Sequence, residues 1–282
     1  MEPTADSRSC FTVLGRTGRE VHRLGVAASY GVGGRDLEAA VEEHGVNYLY
    51  WGSRRTGGFG DALRALSARG LRERLFVVVQ SYSRLGCLVR PSLRRALRQL
   101  GTDHADLLLL GWWNKPVSGR ILDAARACQR EGLVRHLGVS THQRPLVPGF
   151  AGADSPYDVV HLRYNAANRG AERDIFPHVA ATPAERAGLV AFTATRWREL
   201  LRAPAGAPKD VRVPTAGDCY RFVLGAPQVD VCMSGPADGE QLRHAIAAVE
   251  RGPFAPEEQA WIEGFGDLVY AAGSVRTSLE RF

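Results

Sequence analysis

Lysine is almost missing from this chain: of its 36 basic residues, only Lys115 and Lys209 are lysines. Alongside abundant Ala and Gly, the swing to arginine follows the bias of GC-rich coding, so the formal charge of +6 argues little for a nucleic-acid partner. Arg90, Arg94, Arg95 and Arg98 share one face of an amphipathic stretch, but no aromatic residues interleave with them, and they read as a solvated outer face. Long apolar runs are also missing. The longest, Leu107 to Leu110 continuing through Gly111 to Trp113, falls far short of the ~20 residues of a spanning helix, so no membrane partner is expected. The segment Met1-Glu-Pro-Thr-Ala-Asp6 is acidic and lacks the apolar centre of a secretory signal, which makes a cytoplasmic location the expectation. The five cysteines, Cys10, Cys87, Cys128, Cys219 and Cys232, are odd in number and scattered. They have neither the pairing of a zinc site nor the density of a disulfide scaffold, so reduced, mostly buried thiols and no metal are expected.

What is present is an ordinary globular composition, 45% hydrophobic and 23% charged over 282 residues. Short apolar runs alternate with amphipathic stretches along its whole length, the signature of βα units around a parallel sheet. The runs are Leu24–Ala28, Asn47–Trp51, Leu75–Gln80, Asp106–Leu110, His136–Val139, Asp158–Leu162, Gly188–Phe192 and Val229–Cys232. Helical patterns cover Arg35–Glu43, Gly60–Ala68, Pro91–Leu100, Gly119–Gln129 and Gln241–Val249. Eight such units predict an α/β protein, a single (β/α)8 TIM barrel over residues 12–282 after an N-terminal tail of residues 1–11. Thr12 to Val21 reads as a β-hairpin turning near Gly15 and Gly18, placed to plug the barrel bottom. Ala203–Thr215 reads as a surface loop, and Gly31-Val-Gly-Gly34 as a βα turn without the spacing of a phosphate loop.

In such a barrel the chemistry lies at the C-terminal strand ends. These carry Ser29 and Tyr30; Tyr50 and Trp51; Gln80 and Tyr82; Trp112, Trp113 and Asn114; Ser140, Thr141 and His142; His161, Arg163, Tyr164 and Asn165; Phe192 and Thr193; and Ser234. Aromatics and neutral hydrogen-bonding groups suit a bulky, partly aromatic small molecule. The near absence of carboxylates disfavours paired-acid glycosidase chemistry and hard-metal sites.

Five stretches occur in one order: Leu14-Gly-Arg-Thr-Gly-Arg-Glu-Val-His-Arg-Leu-Gly25, Gly45-Val-Asn-Tyr-Leu49, Leu100-Gly-Thr-Asp-His-Ala-Asp-Leu107, Glu131-Gly-Leu-Val-Arg-His-Leu-Gly-Val-Ser140 and Arg251-Gly-Pro-Phe-Ala-Pro-Glu257. Through them the chain resembles the aldo-keto reductase superfamily from about Thr12 to Glu258. The resemblance implies a barrel that binds a nicotinamide cofactor and reduces carbonyls through an Asp, Tyr, Lys and His tetrad. This sequence departs from that pattern at each position. Tyr50 stands for the Asp, the loop Trp51-Gly-Ser-Arg-Arg-Thr-Gly-Gly-Phe59 holds no tyrosine, Gln80 stands for the Lys and Gly111 for the His. Of the cofactor contacts that the resemblance implies, Ser140, Thr141, Phe192, Ser234 and Gly235 occupy matching positions, while Asp238 and Glu240 stand where a 2′-phosphate needs basic residues. The expectation is no cofactor or a weakly bound NAD(P), with NADP disfavoured.

Three functions stay open. The first is non-redox acid/base chemistry, such as cyclisation, isomerisation or elimination, with His161, Tyr50, Gln80 and His142 as the catalytic group. Its substrate contacts are Tyr30, Trp51, Tyr82, Trp112, Trp113, Asn114, Tyr164 and Asn165. The second is an NAD(P)H-dependent oxidoreductase with a replacement proton donor, and the third a non-catalytic ligand-binding barrel.

Overall fold

The structure is a computed structural model that describes residues 10–52 and 57–279. Met1 to Asp6 and, in the loop after Trp51, Ser53 to Thr56 lie outside the described residues.

Short strands β1 (Phe11–Val13) and β2 (Glu20–His22) form an antiparallel hairpin, with Phe11 opposite His22 and Val13 opposite Glu20. Its turn passes under the barrel, where Gly15 adopts φ 45° and lies so close to the Gly188 backbone that a Cβ would overlap it. Leu14 and Val21 point up from this hairpin into the barrel's own core. The hairpin therefore closes the bottom by apolar burial, as its sequence predicted.

Eight parallel strands make the barrel: β3 (Leu24–Ala27), β4 (Tyr48–Trp51), β5 (Phe76–Ser81), β6 (Ala105–Leu110), β7 (Val134–Thr141), β8 (Val159–Arg163), β9 (Gly188–Phe192) and β10 (Val231–Ser234). They pair in chain order, and β10 closes onto β3 through Cys232 opposite Leu24. Around them lie α1 (Gly34–His44), α2 (Gly57–Ala68), α3 (Gly86–Leu100), α4 (Gly119–Arg130), α5 (Val147–Ala151), α6 (Ala171–Asp174), α7 (Ala216–Gly225), α8 (Gly239–Glu250) and α9 (Pro256–Leu279). This is the (β/α)8 fold expected. Helix α3 shows why the pattern was readable: Val89, Leu93, Ala96, Leu97 and Leu100 are buried on one stripe, while Arg90, Arg94, Arg95 and Arg98 face solvent. Its start was not readable, because Pro91 mimics a first-turn proline but sits inside a helix that begins at Gly86.

Buried ion pairs fix the lower rim. Asp106 accepts from Arg72 at 2.8 Å and from the Val77 N–H at 2.9 Å, and Asp230 takes a bidentate Arg186 at 2.7 and 2.8 Å. Such satisfied charges hold strand register, because removing either partner would strand a buried charge. Among the described residues no helix is long and apolar enough to cross a membrane, and no group of side chains has the makings of a metal site. Four cysteines are buried, Cys87 is exposed, and none is bridged.

Candidate active site

Alternate residues of a barrel strand face inward, and this period of two decides which strand-end residues reach the mouth. Tyr48, Phe76, Val78, Leu107, Leu109 and Val159 form the inner core, and the next inward positions above them are Tyr50, Gln80, Gly111 and His161. The Tyr50 hydroxyl donates to Gln80 Oε1. The Gln80 amide then lies across Gly111, where an added Cβ would sit 2.5 Å from Gln80 Nε2 and 2.9 Å from the Tyr82 ring. Three positions that the resemblance assigns to charged or titrating groups are thus a packed neutral unit.

Beneath it, His161 Nε2 lies 2.8 Å from the Tyr48 hydroxyl. His161 is only 3% exposed, and burial pushes its imidazole down to about 3 while raising the Tyr48 hydroxyl well above its ordinary range. Both are neutral at neutral pH.

The rim is built from β6, β7, β8 and β9. Trp112 is 59% exposed and has φ 56°, an unusual backbone for an aromatic residue. Its N–H donates to Ser140 Oγ at 2.8 Å, and the Trp113 N–H donates to the Ser140 carbonyl at 2.8 Å. His142 stands between Trp112 and Phe192, with ring centroids 5.8 and 5.1 Å away and both contacts edge-on. Its backbone N–H donates to Asn114 Oδ1 at 3.2 Å. Partial burial, and then the nearby Arg163 guanidinium, lower its pKa, so the imidazole is neutral at pH 7. Tyr30 and Tyr82 are exposed on the same rim.

Other expected contacts do not reach the mouth. Trp51 and Trp113 occupy outward positions in the layer between sheet and helices, Trp51 against Phe59 and Trp113 under the Arg84 guanidinium at 4.3 Å. Tyr164 likewise points outward to Phe176 and Phe222, and its hydroxyl donates to Glu172 at 2.7 Å. Asn165 is buried and shapes its own loop: its Oδ1 accepts from the Ala167 and Asn168 N–H groups, and its Nδ2 donates to the Thr193 carbonyl. Thr141 is buried and its hydroxyl accepts from the Gln143 N–H.

At the β10 end, the buried Ser234 hydroxyl donates to the Gly25 carbonyl at 2.8 Å. The Tyr30 ring lies against Gly235, where a Cβ would overlap it. Asp238 caps α8 by accepting from the Gln241 N–H at 2.9 Å, and the Asp36 carboxylate presses on Gly239. Two carboxylates therefore stand at a helix N-terminus that otherwise favours anions. Arg163 is a feature that the strand-end ring contained and the assigned site omitted; its inward direction follows from the alternation that places His161 inside.

Residues 59–195 match the Aldo/keto reductase family. A stretch of 92 residues is 33% identical to the putative aryl-alcohol dehydrogenase AAD14 of Saccharomyces cerevisiae, and 32% identical to the probable aryl-alcohol dehydrogenase AAD4 of the same yeast. Each match covers 30% of this chain, and the chain spans only 24% and 28% of those relatives' lengths. The barrel is similar to aldo-keto reductase AKR11C1 from Bacillus halodurans in its holo form, with TM-score 0.71 and 20% identity over 90% of this chain and 95% of that one. The family match thus runs from α2 to just past β9, and the solved structure shares the barrel fold.

Proposed function

We propose that this chain is an aldo-keto-reductase-like enzyme that has lost the family's tetrad-driven carbonyl reduction and uses the barrel mouth for acid/base chemistry on a bulky, partly aromatic small molecule. The observation that carries this reading is the neutral Tyr50–Gln80 unit at the positions of the charged Asp–Lys pair, packed over Gly111. It supplies hydrogen bonds without the field that acidifies a proton donor. His142 is the better-placed base: it is neutral, lies at the rim and is flanked by Trp112 and Phe192, on which an aromatic ligand can rest. It takes a proton from a substrate carbon or hydroxyl and returns it to the product, which makes cyclisation, isomerisation or elimination the reaction class. His161, engaged with Tyr48 in the interior, serves the framework below it.

The residues present do not fit the phosphates of a dinucleotide. Tyr30 covers Gly235, Asp36 and Asp238 stand at the α8 N-terminus, and His142 meets the Phe192 ring on which a nicotinamide would stack. No step is therefore assigned to a cofactor.

The test is deuterium incorporation next to the carbonyl of aryl ketones in heavy water without any nucleotide. Exchange above the buffer rate that His142→Asn lowers about 10²-fold or more supports the reading. Failure of every aryl ketone to exchange would leave a ligand-binding barrel as the better description. The names of the yeast relatives favour a second reading, an NAD(P)H-dependent oxidoreductase in which Tyr50 donates the proton; nucleotide-dependent turnover of an aryl alcohol or aldehyde, abolished in Tyr50→Phe, would establish it.

A further inference from the structure

Beside His142 the rim opens into a shallow, solvent-open cleft lined by Thr141, His142, Arg144, Val147, Leu162, Arg163 and Ile175. Two guanidinium groups line it, those of Arg144 and Arg163, and the charge of Arg196 acts on Arg163 from nearby. Arg144 is held by Asp174 at 2.7 Å, and Arg196 by Glu199 at 2.8 Å with its Nη1 buried and lacking an acceptor among the described residues. Arg163 is half-buried and has no acceptor at all among the described residues. Burial, and then the charges of Arg144 and Arg196, lower its pKa against a smaller opposing effect of Tyr270, so the fold bears the cost of a cation that has no carboxylate partner among the described residues. A packed side chain carrying an uncompensated charge into a cleft is the arrangement of a site awaiting an anion, and a guanidinium fork matches the two oxygens of an oxyanion.

We infer that Arg163, in the cleft beside Thr141 and His142, binds the carboxylate or phosphate of an anionic ligand, so that the substrate class is an aromatic acid or aryl phosphate. The aromatic part of this inference rests on the reading of the mouth as the ligand site; the oxyanion part does not. With the anionic group on Arg163, an attached ring extends toward His142 and Trp112, which puts its substituents beside the base.

The experiment measures binding of inorganic phosphate, benzoate and phenyl phosphate by calorimetry and by Trp112 fluorescence, with benzyl alcohol as the neutral control. Proteins compared are the wild type, Arg163→Gln, Arg163→Lys and the surface control Arg98→Gln. Expected is saturable oxyanion binding that Arg163→Gln weakens about 10-fold or more and Arg98→Gln leaves unchanged. Binding of benzoate alone identifies a carboxylate site, and binding of phosphate as well identifies a phosphate site. Without anions Arg163→Gln should melt no lower than the wild type, and added phosphate or benzoate should raise the melting temperature of the wild type and of Arg98→Gln but not that of Arg163→Gln. Absence of oxyanion binding to the wild type, or equal binding to Arg163→Gln, would overturn the inference. Because phosphate carries no aromatic ring and no turnover is measured, that failure is separable from failure of the acid/base reading.

Discussion

His161 and Tyr48 meet 2.8 Å apart inside the barrel, and the imidazole there is held neutral by burial, with its pKa pushed down to about 3. His22, buried at the barrel bottom, is likewise pushed down to about 4. Both bind a proton more readily when unfolded than when folded, so stability is full above the ordinary histidine range and falls as pH drops below about 6.5. Between pH 7.5 and 5.5 each should cost roughly 1.4 kcal/mol. Urea unfolding across this window should show the loss, and His161→Asn should remove about half of it.

The same relationship separates the two mouth histidines. In the heavy-water exchange assay, His142→Asn should abolish activity, whereas His161→Asn should leave most of it while lowering stability by about 1–3 kcal/mol, through the hydrogen bond lost to Tyr48. A reversed order would return the base to His161.

Leu14 carries the hairpin's contact with the inner core and is fully buried. Leu14→Ala should destabilise the protein by about 2–5 kcal/mol in urea unfolding. A change below 1 kcal/mol would mean that the hairpin is not part of the cooperative core.

Gly111, at the position that the resemblance assigns to the tetrad His, lies under the Gln80 amide. Gly111→His should fail to restore reductase activity and should destabilise by about 1–3 kcal/mol, because its Cβ displaces the Gln80 amide and breaks the bond to Tyr50. Circular-dichroism melts and nucleotide-linked aldehyde turnover check both outcomes.

The eight strands were legible because strands buried on both faces read as continuous apolar runs. The last was displaced by two residues: Val229 resembles strand sequence, but Asp230 is committed to Arg186, and pairing starts at Val231. Helix α7 was invisible to periodicity because it is buried almost all round, from Gly217 to Leu224. Of the site, the mouth composition was legible, and the direction of most side chains follows from strand alternation. That alternation sends Trp51 and Tyr164 outward and Arg163 inward; Trp113 shares the inward parity of Gly111 and reaches the outer layer because Trp112, at φ 56°, breaks the extended backbone. What the sequence could not display is pairing: Tyr50 with Gln80, Tyr48 with His161, and an Arg163 with no acceptor join residues from different strands or depend on the whole neighbourhood.

Titration of the protein with NADPH and NADH, followed by nicotinamide fluorescence, tests the central claim most directly. With Tyr30 over Gly235, and Asp36 and Asp238 at the α8 N-terminus, neither nucleotide should show saturable binding below about 1 mM, a free energy weaker than about −4 kcal/mol. Micromolar binding of either nucleotide, with oxidation on adding an aromatic aldehyde, would contradict the loss of carbonyl reduction.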